Sequence, residues 1–96
     1  MLTSKQKKHL RAESHHVQPI FQVGKAGVNE NMTTQIEEAL EKRELIKVSI
    51  LQNCFEDNKE VADQIAKSTG AHIVQVIGNT IILYKESKEN KQIELP

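Results

Sequence analysis

The sequence predicts an α/β domain built on a mixed four-stranded sheet, and three observations carry that expectation. Apolar residues recur at helical spacing in residues 29–44 and 57–69, and more thinly in a lysine-rich segment near the N-terminus. Four short runs rich in Ile and Val lie between and after these segments. The last two runs are joined by Gly78-Asn79, a tight-turn pair that makes them an antiparallel hairpin. The order is α-β-α-β-α-β-β. Helix crossovers favour parallel pairing while the hairpin must be antiparallel, so the sheet is mixed, with helices packed on one face or both.

Each element has a local reason. Thr3 or Ser4 can cap a first helix to about Ser14, with a narrow stripe of Leu2, Leu10 and Ala12 and a lysine-rich outer face. His15, His16 and Pro19 end it, because proline disfavours helix in the residue before it. Residues 19–23 read as a short strand with Ile20, and Phe21 as a second candidate, turned toward the core. The second helix, about Asn29 to Glu44, aligns Met32, Ile36, Ala39 and Leu40, with the aliphatic stem of Arg43 finishing the stripe. Residues 45–51 form a strand with Ile46, Val48 and Ile50 on one side.

Residues 52–57 connect to a third helix, opened by Asp57 or Asn58 and running to about Thr69. Its stripe is Val61, Ala62, Ile65 and Ala66, and Gly70 stands where a helix-ending glycine belongs. Residues 71–77 and 80–84 are the two hairpin strands. Residues 85–96 are polar and read as a frayed tail. All 96 residues make one domain with a modest core.

Composition excludes several classes. No apolar run approaches the ~20 residues of a membrane span, and the basic N-terminus lacks the apolar stretch of a secretory signal. Cys54 is the only cysteine, so no internal disulfide can form and a cytoplasmic location is expected. His9, His15, His16, Cys54 and His72 lack metal-ligand spacing, so no metal and no cofactor are expected. Cys54 has only His72 downstream and no oxyanion loop, which fits an idle or buried thiol. No carboxylate pair is marked out for acid–base work, so an enzyme is not expected.

Net charge is zero, but its distribution is uneven. Residues 1–27 hold five basic groups (Lys5, Lys7, Lys8, Arg11, Lys25) against Glu13 alone, a balance of +4. The rest holds eight basic and twelve acidic groups, a balance of −4. One basic face is the electrostatic footprint of a nucleic-acid partner. Within it, Gly24-Lys25-Ala26-Gly27 joins the first strand to the second helix. Such a loop can lie against a phosphate with a helix N-terminus behind it. Plain turn geometry accounts for its glycines equally well. Neither the Walker spacing nor G-x-G-x-x-G is present.

The ordered set Leu2-Thr3, Lys5-Gln6-Lys7, Leu10-Arg11, Pro19-Ile20 and Val23-Gly24-Lys25-Ala26-Gly27 resembles the CRM domain (chloroplast RNA splicing and ribosome maturation). The match continues through Ala39-Leu40, Arg43-Glu44-Leu45-Ile46-Lys47-Val48, Gln75-Val76-Ile77-Gly78 and Leu83-Tyr84, and it is nearest to the bacterial single-domain YhbY-like proteins. The resemblance implies a fold similar to the C-terminal domain of translation initiation factor 3, with a G-x-x-G loop like that of KH domains. It also implies binding to ribosomal RNA in precursors of the large (50S) subunit, in aid of assembly. Carried over by position, the RNA-binding residues are Gly24, Lys25, Ala26 and Gly27 with Lys5, Lys7, Lys8 and Arg11. Arg43 and Lys47 are secondary candidates, since stem packing or solubility explains each equally well.

Lys85 stands where the family often has arginine, which keeps the charge but not the planar group. Ser14-His15-His16-Val17 is more polar than the usual approach to Pro19. With Phe21, Phe55 and Tyr84 the only aromatics, and the phenylalanines expected in the core, no stacking platform is evident. Recognition of RNA shape and backbone by a monomer is expected, without a small-molecule substrate. The alternative is a protein-binding adaptor. Its acidic half (Glu37, Glu38, Glu41, Glu44, Glu56, Asp57, Glu60, Asp63) would meet a basic ribosomal or assembly protein.

Overall fold

In the computed structural model, which describes residues 2–52 and 56–96, Thr3 starts the first helix with a reciprocal cap. Its hydroxyl accepts from the Gln6 N–H at 3.1 Å, and Gln6 Oε1 accepts from the Thr3 N–H at 3.0 Å. The chain then forms α1 (Ser4–Ser14), β1 (Pro19–Val23), α2 (Glu30–Arg43) and β2 (Leu45–Ile50). It continues through α3 (Asn58–Thr69), β3 (His72–Ile77) and β4 (Thr80–Tyr84). Asn29 caps α2 by accepting from the Met32 N–H at 2.8 Å. Gly70 ends α3 at φ 77°, the left-handed geometry that favours glycine.

The sheet order is β1-β2-β4-β3. β1 and β2 run parallel across the α2 crossover, and β4 pairs antiparallel with both β2 and β3. The hairpin thus places its second strand at the centre.

Strand alternation divides the core between two faces. On one face Val23, Ile46, Val48, Ile81 and Leu83 pack against Ile36 and Leu40 of α2 and Val61, Ala62 and Ile65 of α3. On the other, Leu10 of α1 packs with Leu45, Val74, Ile82 and Tyr84. Leu2, Val17, Ile93 and Leu95 close that second cluster. The helices therefore cover both faces, two on one and one on the other.

Three expectations about side chains are corrected. Ile20 is exposed rather than core, because the β1–β2 register shifts between Pro19 and Phe21 and leaves Ile20 unmatched. Phe21 packs against the core and Val23 is fully buried. Arg43 is exposed and does not finish the α2 stripe. The chain turns to φ 63° at Glu44, so it is Glu44 that is buried.

Residues 85–96 are docked rather than frayed. The Glu44 carboxylate accepts from the backbone N–H groups of Ser87, Gln92 and Ile93, and Glu41 accepts from those of Lys88 and Glu89 and from the Ser87 hydroxyl. The readings of Cys54 and Phe55 lie outside the described residues.

Candidate nucleic-acid interface

α1 crosses only part of its face of the sheet. Its helical repeat places Lys7, Lys8, Arg11 and His15 on one flank, spaced i, i+1, i+4 and i+8. Lys5 sits on the outer, exposed side, and His9 and Glu13 occupy the opposite flank beside the docked tail. The basic flank overlooks the uncovered half of the sheet. There Arg11 and His15 meet Lys47 of β2, Gln75 and Ile77 of β3 and Thr80 of β4 around a cleft of about 250 Å³. Among the described residues, no carboxylate lines it. Arg11 and Lys47, far apart in sequence, are thus brought together.

Lys47 faces this cleft because it alternates with Ile46 and Val48, which face the α2–α3 side. Gln75 reaches it through a bulge. The β3–β4 register shifts between Ile73 and Gln75, pairing Ile73 with Leu83 but Gln75 with Ile82. In an unbroken strand Gln75 would share the core face with Ile73; the extra residue, Val74, turns it to the α1 side.

The loop Gly24-Lys25-Ala26-Gly27 leaves the same end of the sheet. Val23 pairs with Ile50, three residues beyond Lys47, so the loop starts about 10 Å along the strands from the cleft. The Gly27 N–H donates to the Gly24 carbonyl at 2.9 Å, which makes a turn with Lys25 and Ala26 exposed at its tip. Gly27 is buried at φ 70°, and a Cβ there would lie 2.8 Å from Glu56 Oε1. Gly27 therefore serves the turn, and the face presented outward is Lys25-Ala26. The α2 N-terminus behind it carries Glu30 in its first turn as well as the Asn29 cap. The Glu30 carboxylate offsets part of the positive end of the helix, and the Asn29 cap occupies one of its free N–H groups.

The remaining candidates lie apart. Arg43 sits at the far end of β2, beside His16, Val17, Gln18 and Ile20 around a second cleft of about 400 Å³, with no carboxylate among its described lining residues. Lys85 donates from Nζ to the Thr69 carbonyl at 2.8 Å and so closes the C-terminus of α3. Among the described residues, no group of three or more His, Cys, Asp or Glu side chains converges as metal ligands. None of the described helices is long and apolar enough to cross a membrane.

Sequence reasoning missed Gln75, Ile77 and Thr80. One signal was available: Gln75 interrupts the otherwise apolar run Ile73–Ile77.

Two carboxylates of the acidic half have internal partners. Hydrogen bonds from Ser87, Lys88 and Glu89 hold Glu41 down at about 2. Burial alone would raise Glu44, but the N–H groups of Ser87, Gln92 and Ile93 outweigh it, and its acidity is increased.

A family model described as the CRS1 / YhbY (CRM) domain matches residues 2–85. The chain is 68% identical over 96 residues, the whole of both chains, to the "Probable RNA-binding protein YqeI" of Bacillus subtilis (strain 168). It is 38% identical over 95 residues to an "RNA-binding protein" of Haemophilus influenzae, covering 99% of this chain and 95% of that one. The solution structure of a Staphylococcus aureus protein matches with a TM-score of 0.83 at 58% identity, over the full length of both chains.

Proposed function

We infer that this chain, which belongs to the CRS1 / YhbY (CRM) domain family, is a non-enzymatic RNA-binding protein. It holds ribosomal RNA in precursors of the large subunit and assists their assembly, in the cytoplasm and as a monomer. The observation that carries RNA as the ligand is the cleft where the basic flank of α1 meets Lys47, with no carboxylate among its described lining residues. Cations gathered on one side and segregated from the acidic helices suit a phosphate backbone.

Lys25, at the exposed tip of its turn, extends the same surface with a point charge. The names of the relatives support RNA as the ligand class. The choice of ribosomal precursors follows from the resemblance to the bacterial single-domain members of the family. The adaptor reading is weakened, since Glu41 and Glu44 are already bonded to the tail.

Co-sedimentation of the tagged protein across a ribosome gradient, at low and high salt, tests this reading. A salt-sensitive peak with large-subunit precursors is expected. A profile confined to free protein would overturn the ribosomal assignment. A complex with a protein that survives ribonuclease treatment would favour the adaptor.

A further inference from the structure

We propose that the cleft between α1 and the open half of the sheet receives one unpaired nucleobase. The domain would then select RNA carrying an extruded or single-stranded nucleotide over a continuous duplex. This rests on the RNA-binding reading above and goes beyond recognition of shape and backbone alone.

Four observations carry it. The cleft of about 250 Å³ falls just below the ~300–1,000 Å³ of ordinary ligand pockets, a size for one ring and not for a base pair. Its chemistry is divided as a nucleotide is divided. Ile77, 54% exposed, offers an apolar wall, Ile82 lies beneath it, and Arg11 and Lys47 supply cations at the rim for the flanking phosphates, with the His15 ring beside them.

Gln75 and Thr80 supply the edge readers. The amide carries donors and an acceptor and the hydroxyl does both, so they can meet the hydrogen-bonding edge of a base. The side chains of Arg11, Lys47, Gln75 and Thr80 make no hydrogen bond or ion pair with one another or with the other described residues. Finally, the β3 bulge turns Gln75 out of the core face into this cleft. A bulge re-aims a side chain at the expense of ladder pairing.

The occupant must be unpaired. In an A-form duplex the Watson–Crick edges are engaged in pairing and the major groove is too deep and narrow to read, and a stacked ring cannot enter a side cleft.

The test uses a hairpin RNA with a continuous stem and the same hairpin carrying a one-nucleotide bulge of U, A, C or G. Each is titrated by fluorescence polarisation. The intact chain should bind the best bulged hairpin about tenfold more tightly than the continuous stem. Gln75→Ala should reduce that preference to within about twofold and leave the salt slope unchanged. Lys47→Ala should weaken both RNAs alike and lower the slope by about 1.

Equal binding of the two hairpins, or a preference that survives Gln75→Ala, would overturn the proposal while RNA binding itself stands. Failure of every hairpin to bind would overturn the RNA reading as well. A second measurement needs no variant. 4-Thiouridine placed at the bulge should photo-crosslink within residues 72–82, and crosslinks confined to residues 24–27 would refute the cleft as the base site.

Discussion

Glu44 sits at φ 63° and ψ −40°, a backbone conformation few side chains adopt. What holds it there is its own carboxylate, fixed by the N–H groups of Ser87 (2.8 Å), Gln92 (2.5 Å) and Ile93 (2.8 Å). Glu44→Ala leaves those donors short of an acceptor and should destabilise the domain by about 2–3 kcal/mol. Urea unfolding measures this, and amide exchange at residues 87, 92 and 93 should accelerate selectively. The sequence led us to count Glu44 among the surface acids. Its partners lie 43–49 residues away, and no local period encodes them.

The loop glycines differ for a similar reason. Lys25→Ala, at an exposed tip, should weaken RNA binding several-fold with unfolding unchanged, because the proposed phosphate contact is all that the side chain would lose. Gly27→Ala should lower stability by about 1–2 kcal/mol whatever the RNA, since φ 70° and the Glu56 carboxylate oppose a Cβ. Equal losses of binding and stability in both variants would contradict this division.

At the scale of elements, helices were more legible than strands. The Thr3 and Asn29 caps, the stripes of α2 and α3 and the Gly70 stop all depend on residues within a turn of each other, and the structure has them. The strands could be located, but not which way every side chain points. A single extra residue inverts the alternation, and both edge strands carry such a shift, at Ile20 and at Val74. That is why Ile20 was expected inside and Gln75 went unnoticed.

The basic flank of α1 gives a prediction of its own. Lys7, Lys8 and Arg11 share the side that overlooks the cleft, while Lys5 is turned outward. Replacing the first three together by Ala should reduce the slope of log K against log salt by about 2, at ~0.7 per phosphate. Lys5→Ala alone should change it least. Titrations between 50 and 200 mM salt, roughly the range over which such contacts are lost, discriminate. A larger effect from Lys5 would place the RNA on the outer face instead.

The whole molecule is a sheet sandwiched unequally, two helices on one side and one helix plus the tail on the other. Ile93 and Leu95 complete the Leu10 cluster only while the tail is held, and the holding groups are Glu41 and Glu44. Stability should therefore depend on pH with a definite sign. Both carboxylates are more acidic in the folded chain than the ordinary 4.5, Glu41 at about 2 through the Ser87 hydroxyl and the Lys88 and Glu89 N–H groups.

A depressed folded value means the unfolded chain binds protons first as pH falls. The clamp contributes fully above about pH 4.5 and is lost as pH drops from there toward about 2. His72, kept neutral chiefly by burial, opposes folding from nearer its ordinary 6.5, but it lies on β3 rather than in the tail. Amide exchange followed from pH 7 to pH 3 separates the two. Protection at Ser87, Lys88, Glu89, Gln92 and Ile93 should fall below pH 4.5, ahead of protection in β2 and β4. Glu41→Gln should weaken protection at Lys88 and Glu89 already at pH 7. If the tail amides lose protection only together with the central strands, these carboxylates are not a clamp of their own and tail and sheet unfold as one unit.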